Sequence, residues 1–236
     1  EKHEMYFDAI KYLEKYIDVK QSHDAEDYNI LGFFYHKYYD ISQNKKDIFK
    51  SLEALSKASD FDVKSGIYAK NAAVIANFSN RPDIAKKYWD RALKINKMTN
   101  MDKFYYSLFC FKQADFDNWN KFYESRFYKE SDAVFFPEIK KERWNGTQNL
   151  SNSTLLIHWE QGFGDTFLMW GYIPRIVKIA KHVIFVAQGE LYSFLKDNNY
   201  GVEVLSRDDL YITLTNNKIN QLNFDYYIPA MSIHGT

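Results

Sequence analysis

Two patterns of apolar and polar positions divide this chain. Up to about residue 130 apolar side chains recur at helical spacing, and beyond about residue 154 short apolar runs alternate with helical stretches. The first pattern predicts seven helices, near residues 5–18, 25–41, 46–59, 64–78, 82–96, 101–113 and 116–129. Ala9, Leu13 and Tyr16 share one face of the first of them, and Pro82 stands at a helix start, where a missing N–H costs little. The second pattern predicts strands over 155–159, 182–187, 202–205 and 224–229, with helices over 166–181 and 191–197 between them. Strands alternating with helices imply a parallel sheet. Residues 131–153 lack helical periodicity and contain Pro137, Trp144-Asn145-Gly146 and an Asn/Ser/Thr-rich tail, the composition of a linker. The expected fold class is therefore α + α/β, with helices over 1–130, a linker over 131–153 and a parallel-sheet domain over 154–236.

The helical part repeats with a step of 34 residues. Ser51, Ala85 and Trp119 align, as do Leu55, Trp89 and Tyr123, and then Ala58, Ala92 and Arg126. Two helices in that period are the sequence signature of tetratricopeptide repeats. Residues 69–96 resemble that family closely, with small Ala73, Ala76, Ala85 and Ala92 where paired helices approach and large Trp89 where they interlock. An earlier copy starts at 28–39, with Leu31-Gly32 and Tyr35 in family-like places and a longer loop. Residues 5–18 resemble the second helix of a copy before that. The resemblance implies a curved helical solenoid whose concave groove takes a peptide or partner protein.

Composition narrows the function classes. Lys plus Arg and Asp plus Glu are 31 each, and no long basic block occurs, which argues against a mainly electrostatic nucleic-acid binder. Aromatic residues make up 18% of the chain, chiefly Tyr and Phe, a supply suited to filling gaps between packed helices. Cys110 is the single cysteine, so no intrachain disulfide is available; within FYYSLFCFK it reads as a small buried apolar residue. No apolar run reaches the ~18–20 residues that cross a bilayer, and no signal-peptide pattern opens the chain, so a cytoplasmic protein is expected. The acceptor-type triplets at Asn77, Asn145, Asn149 and Asn152 then read as polar loop chemistry. Glu1 already lies inside an amphipathic helix and Thr236 follows soon after a strand-like run, so a longer protein is expected.

The chemistry concentrates in residues 154–174, TLLIHWEQGFGDTFLMWGYIP. An apolar strand ends in Gly162-Phe163-Gly164-Asp165 and passes straight into a helix, which is how open α/β domains place a ligand loop at a strand's carboxyl end. Two roles are open for Asp165. A carboxylate on such a loop suits a general base; equally, it suits the N-cap of a helix over 166–181. Gly162 and Gly164 allow close backbone approach and unusual dihedrals, and a helix start at Thr166 offers N–H groups to an anion such as a diphosphate. Glu160 and Gln161 either line the loop or solvate the strand end. His158 lies in an apolar strand and reads as a hydrogen-bonded core residue. The other histidines have no metal-ligand spacing, no metal site is expected, and Asp208-Asp209 reads as a solvated loop lacking Asp-x-Asp spacing.

Several motifs in order give a second resemblance. Asn118-Trp119 with Tyr123-Glu124-Ser125-Arg126 resembles a last-repeat "W…YE.R" pattern, and Arg143-Trp144-Asn145-Gly146 resembles an "RW-[DN]-G" approach to a sheet. LLIHWEQGFGDTF resembles "LLLHAEQGLGDT", and Pro229-Ala230-Met231-Ser232 resembles "P-x-M-S". Together they resemble bacterial tetratricopeptide-repeat proteins that run into a GT-B glycosyltransferase-like domain, near the heptosyltransferase-like and protein O-GlcNAc transferase groups. The resemblance implies that Asp165 is the catalytic base and that Glu160, Gln161, Gly162, Gly164 and Thr166 line the substrate side. It implies a nucleotide-sugar donor held mostly by a second Rossmann-like domain, a protein or glycan acceptor, and no cofactor within these residues. This half by itself is then expected to be inactive. The alternative is a non-catalytic scaffold whose repeats bind a peptide or partner protein.

Overall fold

A computed structural model describes residues 2–20, 24–95, 98–128, 138–160, 162–210 and 218–236. The chain divides into two compact units, residues 1–129 and 130–236.

Helices make up the first unit: α1 (Lys2–Val19), α2 (Ala25–Ser42), α3 (Lys45–Phe61), α4 (Gly66–Phe78), α5 (Pro82–Ile95), α6 (Asn100–Lys112) and α7 (Phe116–Tyr123), the last running into a 3₁₀ turn, Glu124–Tyr128. Their starts follow from short polar side chains that accept otherwise orphaned N–H groups. Asp24 accepts from Asp27 N at 3.0 Å, Asn44 from Lys46 N at 3.1 Å and Asp115 from Asn118 N at 3.2 Å. Thr99 and Asp102 form a reciprocal capping box at the head of α6.

Consecutive helices pair most extensively as α2 with α3, α4 with α5 and α6 with α7. The 34-residue columns fall on the second helix of each pair, apart from Arg126, which lies in the 3₁₀ turn after α7. Ser51, Ala85 and Trp119 are buried, as are Leu55 and Trp89, with Tyr123 half-buried, and so are Ala58, Ala92 and Arg126. Alanines at 69, 72, 73, 76 and 85 have no exposed surface, so the helices pack backbone to backbone with Trp89 wedged between them. Each large apolar side chain buried in this way contributes about 1.5–3 kcal/mol. Arg126 closes the third column as a buried cation. Its Nη1 donates to Glu124 Oε1 at 2.8 Å, and its guanidinium lies over the Tyr123 and Phe127 rings.

The second unit holds a parallel five-stranded sheet among the described residues. Its strands are β1 (Glu142–Arg143), β2 (Thr154–His158), β3 (His182–Ala187), β4 (Glu203–Ser206) and β5 (Tyr226–Pro229), lying in the order β1-β5-β2-β3-β4. Helices α8 (Phe163–Trp170), α9 (Ile173–Ile176), α10 (Gly189–Asp197) and α11 (Arg207–Leu210) connect them. The class is thus α + α/β. Leu155, Leu156 and Ile157 have no exposed surface, as expected of a central parallel strand covered on both faces. Leu156, Ile184 and Val186 pack with Phe224 and Ile219 on one face, and Phe185 meets Trp170 edge-on at 5.0 Å on the other.

Two readings of the sequence need correction here. The stretch expected as a linker over 131–153 contains strand β1, which pairs with β5, and buried Trp144, whose backbone N–H donates to Tyr227 O at 2.8 Å. Two residues are too short for an alternating pattern, so periodicity cannot find such a strand. Residues 131–137 lie outside the described residues. The single helix expected over 166–181 instead starts at Phe163 and breaks at Gly171-Tyr172. Pro174, near the start of α9, has no N–H to continue the ladder, and in an unbroken helix its ring would collide with the carbonyl four residues back.

Candidate functional site

Strand order creates the site. From β2 the chain crosses to β3 on one side, whereas β5 lies on the other side of β2, so the order reverses between β2 and β5. Ligands of open α/β sheets bind in the crevice outside the carboxyl ends of strands at such a point. The Gly162–Asp165 loop leaves β2 there, and the 3₁₀ turn Ala230–Gly235 leaves β5 there and packs against α8.

Glu160 is buried, and its Oε1 accepts the Met231 N–H at 2.7 Å, joining the segment after β2 to the one after β5. Solvation of the strand end is therefore not its task. Gln161 lies outside the described residues. Gly162 is the N-cap of α8 in ordinary extended backbone, φ −78° and ψ 160°, and Gly164 lies within the helix, so neither uses the unusual dihedrals that a glycine allows. What Gly164 supplies is room: a Cβ built there meets no atom within 4 Å. Asp165 is the third residue of α8 rather than the N-cap. Its Oδ2 accepts the Gly162 N–H at 3.3 Å, half a capping box whose other half a glycine cannot provide. Asp165 is half-buried.

Thr166 is one turn into the helix, buried and committed. Its N–H donates to Gly162 O at 3.3 Å and its hydroxyl to Gln188 Oε1 at 2.9 Å, so it offers no N–H to an anion. The helix starts three residues earlier than periodicity suggests, and the orphan amides belong to the Phe163–Asp165 turn. His158 is a buried core residue, as expected: its Nδ1 lies 2.8 Å from Trp159 O and its ring stacks on Tyr227.

Sequence reasoning passed over Gln188, which follows β3 and ties that strand's end to the loop helix through Thr166. It also left unpaired two residues already present in the quoted motifs. Arg143, at the end of β1, donates from Nη2 to Ser232 Oγ at 2.8 Å. Asp208 and Asp209 are solvent-exposed, as expected, but lie in a short helix rather than a loop. That helix is α11, and a Cβ added at Gly189 would lie 1.8 Å from Asp208 Oδ2.

The helical unit has a groove of its own, about 420 Å³, along the first helices of the three pairs, α2, α4 and α6. Phe33, Val74, Phe78 and Tyr105 line it, with Asn29 and Asn71 joined by a 3.0 Å hydrogen bond and Lys70 paired to Asp102 at 3.1 Å. Burial holds the His36 imidazole, stacked on Phe78, below its usual pKa. No helix among the described residues is long and apolar enough to cross a membrane.

No known protein family matches this chain, and no curated protein matches it in sequence.

Proposed function

We propose that the α/β unit is the acceptor-side, Rossmann-like half of an inverting GT-B-type glycosyltransferase. In this reading the helical unit is a tetratricopeptide-type solenoid that presents a protein or glycan acceptor. The observation that carries it is the state of Asp165. Around it the polar groups of three strand ends are bonded to one another through Glu160, Met231, Thr166 and Gln188. Asp165 is instead half-buried at the reversal of strand order, and among the described residues its carboxylate accepts from the amide of Gly162. A base so placed takes the proton of an acceptor hydroxyl or amide as that oxygen or nitrogen attacks the anomeric carbon. The bond from the anomeric carbon to the nucleoside diphosphate breaks, the diphosphate leaves with the electron pair, and configuration inverts. The amides at the head of α8, with open space at Gly164, suit an anion's approach. Donor binding would rest mainly on a second Rossmann-like domain of a longer gene product.

The test uses that full-length gene product. Release of nucleoside diphosphate from a panel of UDP-, GDP- and ADP-sugars is expected from the parent. Asp165→Asn, which keeps an acceptor for the Gly162 amide, is expected to lose a factor of about 10²–10⁴ in turnover with an unchanged circular-dichroism spectrum. Undiminished turnover in that variant removes the base assignment.

One observation favours a second reading, a non-catalytic scaffold. The groove over α2, α4 and α6 is apolar and carries exposed Phe33 and Phe78 beside Asn29 and Asn71, a surface for an extended protein segment. A full-length product that no nucleotide-sugar stabilises, but whose peptide binding is lost in Phe78→Ala, would support it.

A further inference from the structure

We infer that Gln188 is a positioning residue: through the Thr166 hydroxyl it fixes the first turn of α8, and Asp165 with it. The turn that carries Asp165 has little of its own to hold it. Gly162 and Gly164 have no side chain to pack, Phe163 is 47% exposed, and a glycine backbone has more freedom to lose than any other. The bond from the Gly162 amide to Asp165 Oδ2 lies within the same turn, so it moves with the turn rather than fixing it. Apolar anchors come a turn later, where Met169 and Trp170 are buried.

Thr166 is where that turn meets the sheet. It is buried, and its hydroxyl donates to the Oε1 of Gln188, itself buried, at 2.9 Å. Gln188 follows β3, a strand paired on both sides up to its end: Val186 with His158 of β2 and Leu205 of β4, then Ala187 with Ser206. Gln188 also stands at the N-cap of α10, yet makes no side-chain cap there. Its Oε1 serves α8 rather than its own helix. A valine at 166 would fill much the same space, but a hydrogen bond prefers one distance and direction, whereas apolar contact is non-directional. Replacing both partners of such a bond by apolar groups of like shape is close to neutral for stability. What the pair supplies is therefore placement. That the placement serves catalysis rests on the reading of Asp165 as the base.

Hydrogen exchange followed by mass spectrometry separates placement from stability. In the 236-residue chain, Thr166→Val is expected to speed amide exchange over residues 166–169 about three- to ten-fold, with β2 and β3 exchanging as in the parent. Gln188→Met should match it, and Thr166→Ser, which keeps the hydroxyl, should exchange as the parent does. Combining Thr166→Val with Gln188→Met removes donor and acceptor together. The urea midpoint is then expected to lie nearer the parent's than that of Thr166→Val alone, while the fast exchange persists. In the full-length gene product, Thr166→Val and the double variant should each lose about ten-fold in kcat with an unchanged KM for the nucleotide-sugar. Parent-like exchange in Thr166→Val, exchange that recovers with stability in the double variant, or undiminished kcat where Asp165→Asn is inactive overturns the proposal. A full-length product that turns over no nucleotide-sugar sinks the reading of Asp165 instead, and the exchange measurements then decide alone whether Gln188 places the turn.

Discussion

Glu160 and Asp165 are five residues apart and face opposite demands. Glu160 is buried with its oxygen on the Met231 amide, whereas Asp165 is half-buried with a long bond to Gly162. Glu160→Ala is therefore expected to cost about 1–3 kcal/mol, because it leaves a buried N–H without its acceptor. Glu160→Gln, which keeps an acceptor oxygen, should cost less, and urea unfolding followed by tryptophan fluorescence orders the two. The sequence held this contrast only in part. It showed two carboxylates around a glycine turn, but which was buried depended on Met231, 71 residues downstream. Helix periodicity likewise misplaced the start of α8, since Gly162, Phe163 and Gly164 carry no apolar stripe that would mark a first turn.

At the scale of elements, the helical repeats were legible because their packing is local. Each second helix meets a first helix only a few residues upstream, so the 34-residue columns become matching buried positions. Gly32 measures how close that approach is. A Cβ there would lie 2.5 Å from Leu55 Cγ and 3.1 Å from Ser51 O, and the Ser51 hydroxyl donates to Gly32 O at 2.7 Å. Gly32→Ala should thus destabilise the helical unit by about 1–3 kcal/mol through overpacking, although alanine favours helix in isolation. Urea unfolding followed by circular dichroism at 222 nm checks the sign. At the head of α6, Thr99→Ala removes one half of the capping box and is expected to cost about 1 kcal/mol in the same measurement. Strand β1 was illegible for the opposite reason: two residues become a strand only because β5, some 80 residues later, supplies the other half of the ladder.

For the molecule as a whole, Cys110 is a built-in reporter, being the single thiol and buried in the core of the helical unit. Burial pushes its pKa up to about 11 from 9.0. Below pH 9 folded and unfolded thiols are both protonated, and the full stability is present. Between about pH 9 and 11 the unfolded thiol ionises while the folded one does not, so stability falls as pH rises. At pH 8 a thiol reagent should label Cys110 only as fast as the helical unit opens, and adding denaturant should raise that rate steeply. Rapid labelling of the native chain would contradict the burial of this core.

What the sequence determined by itself is what short-range periodicity can encode: helices that repeat in pairs, a change to alternating strands and helices, and a glycine turn at the end of a buried strand. Tertiary structure alone decided which strand ends meet. Glu160 with Met231, Thr166 with Gln188 and Arg143 with Ser232 are joined across 71, 22 and 89 residues. Those contacts depend on the lateral order β1-β5-β2-β3-β4. Each parallel strand carries much the same apolar run whichever neighbour it pairs with, so the order is set by packing of the whole sheet, and with it the surroundings of Asp165.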